Sequence, residues 1–136
     1  MLSVHLFSFG YRRSGIPQDP NGNGGGFVFD CRCLPNPGQL DAFRDLTGKQ
    51  TEVQEWLKQQ DRFHLFAGQC LALIEQSIEF YQKRGFEHLM VSFGCTGGQH
   101  RSVFLSEWTY SRLLQHEIHV DLVHTEMNHW PGNQNV

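Results

Sequence analysis

Residues 94–102, Gly-Cys-Thr-Gly-Gly-Gln-His-Arg-Ser, constrain the fold more than any other part of the chain. They follow His-Leu-Met-Val-Ser-Phe-Gly at 88–94, a run nearly continuous in apolar residues that reads as a buried strand. They lead into a stretch from His100 to about His116 with helical spacing, in which Val103, Phe104, Trp108, Ser111 and Leu114 are expected on the inner side. Alternation resumes at 118–124 and predicts a last strand. Strand, glycine-rich turn, helix and strand in that order imply a right-handed crossover and parallel strands. The predicted fold is therefore α/β, a mostly parallel sheet covered by helices, with the strand–turn–helix at 88–116 as its functional centre.

The length allows one domain, 1–136, and no second. With 39% hydrophobic and 18% charged residues the chain is not of the disordered class, and eleven Phe, three Trp and three Tyr can fill one core. No apolar run approaches the roughly 20 residues that cross a bilayer, and the first residues lack the basic-then-apolar order of a signal peptide. A cytoplasmic protein with no membrane partner is expected, and Cys31, Cys33, Cys70 and Cys95 read as reduced thiols. A formal net charge of −3 argues against non-specific nucleic-acid binding, which draws on a basic excess.

The remaining elements follow from periodicity and punctuation. Residues 3–9 alternate as a strand, and 27–33 form another, stopped by Pro35 and Pro37. Between them, 10–26 is a Gly-, Pro- and Asn-rich loop, expected to be flexible. Short helices fill 38–60, broken at Thr47–Gly48, with Thr51 as the cap of 52–59. Residues 61–84 predict a long helix, capped by Asp61, ended by Gly85, with Phe66, Cys70, Leu73, Ser77 and Tyr81 inward. Residues 125–136 read as a loose tail.

In parallel α/β sheets, ligands gather at the carboxyl ends of the strands. That rule selects residues 10–17, Asp30 with Arg32, the turn at 95–102, and His124. Gly97 and Gly98 free the backbone so that successive amides can face one anion, and the helix start adds positive potential. Thr96 and Ser102 offer hydroxyls, and His100 and Arg101 offer positive charge, Arg being suited to a forked contact with phosphate oxygens. A phosphate cradle at 95–102 is the physical reading. Arg12 and Arg13 are candidates to close over it. The other signals are bland: Cys31 and Cys33 are expected to pack and no metal ligands are assigned, His5 and His119 to lie on strand faces, and His64, His88 and His116 in solvent. No cofactor is expected.

Two resemblances bear on chemistry. From Cys95 to Ser102 the chain resembles the Cys-x-x-Gly-x-x-Arg-Ser phosphate loop of cysteine-dependent phosphatases, which would make Cys95 the nucleophile and Arg101 the phosphate clamp. Gly94 replaces that family's usual His, and no general-acid Asp loop follows. Over most of its length the chain resembles the C-terminal domain of the RapZ family of RNase adapter proteins. The residues that carry this are Phe9-Gly10, Gly15-Ile16-Pro17, Val28-Phe29-Asp30 with Arg32, Leu34-Pro35-Asn36-Pro37, Leu46-Thr47-Gly48 and Gly94 through Val103.

This second resemblance implies a domain that senses glucosamine-6-phosphate within amino sugar metabolism, with pocket residues on Asp30, Thr96, Gly97, His100 and Arg101. It implies a hexosamine phosphate or other phosphate-bearing small molecule as partner, and binding rather than catalysis. The ATP-binding domain of full-length relatives is not expected in these 136 residues. RNA is not the expected partner, because no Lys or Arg follows His124. A homo-oligomer or a protein partner stays open.

Overall fold

A computed structural model describes residues 1–132. Four strands, β1 (Ser3–Gly10), β2 (Phe27–Asp30), β3 (His88–Cys95) and β4 (His119–His124), form one sheet in the order β2-β3-β1-β4. Every pairing is parallel, with Gly10 opposite Cys95, Ser8 opposite His124 and Asp30 opposite Gly94. The carboxyl ends of all four strands therefore lie along one edge, and the crossover expected between β3 and β4 is made by α3 (Arg101–Leu113).

The core lies between the helices and one face of the sheet. Val4 and Leu6 of β1 and Leu89, Val91 and Phe93 of β3 join one cluster with the inner residues of α2 (Asp61–Arg84) and with Leu105 and Leu113 of α3. Strand residues alternate between faces, so the opposite face carries Val28, Asp121 and Val123, all exposed. Residues 16–26 run over part of that face, above Met90 and Ser92.

Local chemistry moves several predicted boundaries. The second strand stops at Asp30 rather than 33, because the Asp30 carboxylate accepts the Arg32 amide at 2.9 Å and turns Cys31–Cys33 into a 3-10 helix. Cys31 is consequently buried and Cys33 exposed. The short helix α1 (Thr51–Lys58) includes Thr51, and its cap position is Gln50, with no side-chain cap bond. Asp61 is likewise inside α2, after Gln60. Gly85 ends α2 as expected, at a left-handed φ of 73°.

The inward faces of two helices differ from the sequence reading. On α2 the buried residues are Phe63, Ala67, Cys70, Ile74 and Ile78, and Leu73 is exposed. On α3 they are Arg101 through Ser106, Thr109 and Leu113, whereas Ser111 and Leu114 face solvent. The helix ends at Leu113 rather than His116. His5 and His88, assigned to a strand face and to solvent, stack on each other with ring centroids 5.2 Å apart, and His5 bonds Asp121 at 2.8 Å. His116 pairs with Glu75.

Part of the tail also departs from expectation. Residues 127–129 form a 3-10 turn, and Trp130 is buried with its indole N–H donating to the Gly98 carbonyl at 2.9 Å. Residues 133–136 lie outside the described residues. Among the described residues no helix is long and apolar enough to cross a membrane.

Candidate functional site

The turn between β3 and α3 is fixed from behind through its carbonyls. The Cys95 and Thr96 carbonyls accept the Tyr11 and Arg12 amides at 2.8 and 3.0 Å, the Gly98 carbonyl accepts the Trp130 indole, and the Gln99 carbonyl accepts the Gly48 amide at 2.9 Å. Across a trans peptide the carbonyl and the next N–H point in opposite directions. The amides of Thr96, Gly97, Gln99 and His100 are thus turned away from those partners. The cap residue of α3, His100, makes no side-chain cap bond, and of the first amides that of Ser102 is taken by Cys95 Sγ at 3.5 Å.

A cavity of about 240 Å3 opens at this turn, lined by Cys95, Thr96, Gly97, His100 and Arg101 from the predicted cradle. The same cavity is walled by Asn36, Gly38, Arg44 and Gln99. Gln99 belongs to the predicted turn at 95–102; sequence reasoning missed Asn36, Gly38 and Arg44 as site residues. From its residues the Leu-Pro-Asn-Pro segment signalled a stop to regular structure, and as a motif it supported the family resemblance; in the fold Asn36, whose side chain accepts the Gly38 amide at 2.9 Å, stands with Gly38 in the wall.

Arg101 is the most constrained cation in the molecule. It is only 6% exposed. One guanidinium nitrogen donates to the Leu34 and Arg32 carbonyls at 3.1 and 3.3 Å, the other to the Thr96 hydroxyl at 3.4 Å, and its Nε is buried with no hydrogen-bond partner. Among the described residues no carboxylate forms an ion pair with it. A buried charge without a counter-ion is costly, so the side chain is poised for an anion.

His100 differs from its expected role as a positive charge. It is buried, its Nε2 bonds the Phe43 carbonyl at 2.8 Å, and burial pushes its pKa down, outweighing the favourable carbonyls. The ring is therefore neutral at pH 7, with Nε2–H donating and Nδ1 left as an acceptor beside Gly38. The unfolded chain keeps a histidine near the ordinary 6.5, and the folded one sits lower. As pH falls below 6.5 the unfolded state takes up a proton that folded His100 refuses, so stability falls with pH over that window. Asp30, held below its ordinary 3.8 chiefly by the Arg32 side chain, acts only at far lower pH. Urea denaturation at pH 7.5 and 5.5 should show this loss, and His100→Gln should shrink it. An unchanged pH dependence in the variant would exclude His100 as a cause.

Other predicted site residues are placed elsewhere. Ser102 is fully buried, because its hydroxyl bonds Cys95 Sγ at 3.1 Å and the Phe9 carbonyl at 3.4 Å beneath the turn. Gly98, at φ 70°, packs behind the turn, where a Cβ would lie 2.5 Å from Glu126 Cγ. His124 is held between Ser8 at 2.6 Å and Glu107 at 2.7 Å and lines a separate cavity with Lys49 and Asn128. Asp30 and Arg32 stand at the end of β2 near Arg101 but outside the cavity lining. They form a 2.8 Å ion pair, and Arg32 lies over the Tyr11 ring at 4.0 Å.

Comparison with known proteins shows a family. Residues 2–128 match the family described as RapZ C-terminal domain. Relatives include a nucleotide-binding protein of Halorhodospira halophila, 40% identical over 127 residues, covering 93% of this chain and 42% of that protein. A nucleotide-binding protein of Ruegeria sp. (strain TM1040) is 39% identical, covering 98% and 41%, and one of Jannaschia sp. (strain CCS1) is 37% identical, covering 93% and 38%. The chain thus spans about two fifths of the length of these curated relatives.

Proposed function

The chain belongs to the RapZ C-terminal domain family, and from that premise we infer that it is a binding domain for a phosphate-bearing small molecule, with a hexosamine phosphate of the glucosamine-6-phosphate type as the preferred ligand. The observation that carries this reading is the buried Arg101 guanidinium, without a carboxylate partner, at the wall of the cavity. The phosphate would sit against Arg101, the Thr96 hydroxyl and the turn amides. The Asn36 and Gly38 side of the cavity, with the neutral His100 Nδ1 as acceptor, would meet sugar hydroxyls. Asp30 at the rim would take an ammonium group once Arg32 gives way.

Size favours a sugar phosphate over a nucleotide. Pockets for drug-sized ligands begin near about 300 Å3, and this cavity is smaller. The relatives' name, nucleotide-binding protein, belongs to chains more than twice as long, and the name does not say which part binds the nucleotide. Calorimetry with glucosamine-6-phosphate, inorganic phosphate and ATP separates the readings. The sugar phosphate should bind most tightly, with phosphate weaker. ATP binding alone would overturn the proposal.

The cysteine-phosphatase reading makes a different prediction. Cys95 is only 2% exposed and its sulfur is engaged by Ser102. As a binding domain, Cys95→Ser should keep sugar-phosphate affinity within about twofold, and the wild type should release no phosphate from the sugar ester. Phosphate release that disappears in Cys95→Ser would establish an enzyme.

A further inference from the structure

Behind the anion turn lies a second set of contacts, made by the segment after β4. Glu126 is a carboxylate with no solvent exposure. Its Oε2 accepts the Gly10 and Ser14 amides at 3.0 and 2.9 Å, and its Oε1 accepts the Ser14 hydroxyl at 3.0 Å. Its aliphatic part fills the space beside Gly98 that a side chain would need. Four residues later the Trp130 indole holds the Gly98 carbonyl at 2.9 Å. None of these groups lines the cavity.

The geometry has a direct effect on the turn. Gly98 stands at φ 70°, where the chain reverses toward α3. Fixing its carbonyl fixes the peptide that carries the Gln99 amide, because the two groups share one plane. The Gly10–Ser14 turn, gathered by the Glu126 carboxylate, supplies the Tyr11 and Arg12 amides that hold the Cys95 and Thr96 carbonyls, which aims the Thr96 and Gly97 amides in the same way. Three loops far apart in sequence meet on one buried carboxylate and one indole.

We propose that Glu126 and Trp130 are positioning residues of the anion site: they touch no ligand, and they hold the 95–100 turn in its binding conformation by fixing its carbonyls from behind. The proposal rests on the phosphate-binding reading above. It makes the segment after His124 part of the site's machinery, and it makes Trp130 a reporter of ligand binding through Gly98.

The experiment uses the full chain with two probes, inorganic phosphate and glucosamine-6-phosphate. Trp130→Phe keeps an aromatic ring while removing the N–H together with the five-membered part of the indole, a partial truncation that the fold should survive; Glu126→Gln is the second variant and keeps an acceptor. Hydrogen exchange without ligand comes first. Exchange at 96–99 should rise at least fivefold in Trp130→Phe, and exchange at 10–14 should rise similarly in Glu126→Gln, with protection on α2 unchanged. Calorimetry should then show probe affinity falling about five- to tenfold in Trp130→Phe. Phosphate should change tryptophan emission in the wild type, and that change should be lost in Trp130→Phe. Unchanged exchange at 96–99 and 10–14 in both folded variants would overturn the proposal, as would unchanged affinity. If exchange rises but neither probe binds the wild type, the positioning role stands and the phosphate reading falls.

Discussion

Replacing Arg101 with alanine is expected to cost the site most of its affinity for a phosphate ester, about 1.5–3 kcal/mol, the range for hydrogen bonds to charged groups. That corresponds to roughly a tenfold to hundredfold rise in dissociation constant. Two effects add. The ligand loses the one buried cation at the cavity, and the Thr96 hydroxyl loses the guanidinium that orients it. The variant also leaves the part-buried Arg32 carbonyl and the buried Leu34 carbonyl without their donor, at about 1–3 kcal/mol for the buried group left unpaired. Stability should therefore fall with affinity, and calorimetry must be read beside urea denaturation of the same sample. Arg101→Lys keeps the charge but lacks the planar fork whose two nitrogens reach the carbonyls and the hydroxyl from separate positions, so it should restore only part of either loss. Full affinity in a folded Arg101→Ala protein would remove Arg101 from the site and with it the main support for an anion there.

The second large effect is expected in the core, at a residue that does not line the cavity. Phe63 has no solvent exposure, stacks on Phe104 with centroids 5.0 Å apart, and meets the edge of Trp108 at 5.8 Å. Truncation of such a ring costs about 3–5 kcal/mol, the lost transfer energy plus the cavity left behind. Against a total stability of about 5–15 kcal/mol, that is enough to leave much of the protein unfolded at moderate temperature. Leu73→Ala, on the exposed side of the same helix, should change stability by no more than about 0.5 kcal/mol. Urea midpoints of the two variants decide the matter. An equal cost for both would mean that α2 presents a different face to the sheet.

These two helices also mark what the sequence could and could not disclose. The end of α2 was legible because Gly85 has a fixed physical role there, and its start because an acidic residue suits a first turn, although Asp61 sits inside the helix and not at the cap. Its inner face was not. Cys70 belongs both to the predicted stripe through Phe66 and Leu73 and to the buried stripe through Phe63 and Ile74, and α2 carries Leu65, Leu73 and Phe80 in the open. With apolar residues on both sides, periodicity offers two answers, and only contact with the sheet selects one. The turn that lines the cavity was legible because paired glycines, a strand end and a helix start all act locally. The rest of the wall was not, since residues 36–44 are 3-10 turns without a period. Nor were Glu126 and Trp130, whose partners lie as far as 116 positions away in the chain.

The strand order has a consequence for how the chain is made. β1 sits inside the sheet, and its partners are β3 and β4. A ribosome that has just completed Gly10 must add 78 more residues before His88, the first residue of β3, exists. At about 5–20 residues per second that interval is roughly 4–16 s. Throughout it Val4, Leu6 and Phe9, none of which sees solvent in the finished protein, have no neighbouring strand to pair with. Even β2, emerging in the meantime, cannot relieve them, because it too waits for β3. A cell making this domain must therefore keep an apolar, strand-forming segment from other nascent chains for several seconds, and slowing translation between residues 10 and 88 should raise its aggregation, while slowing it after His124 should not.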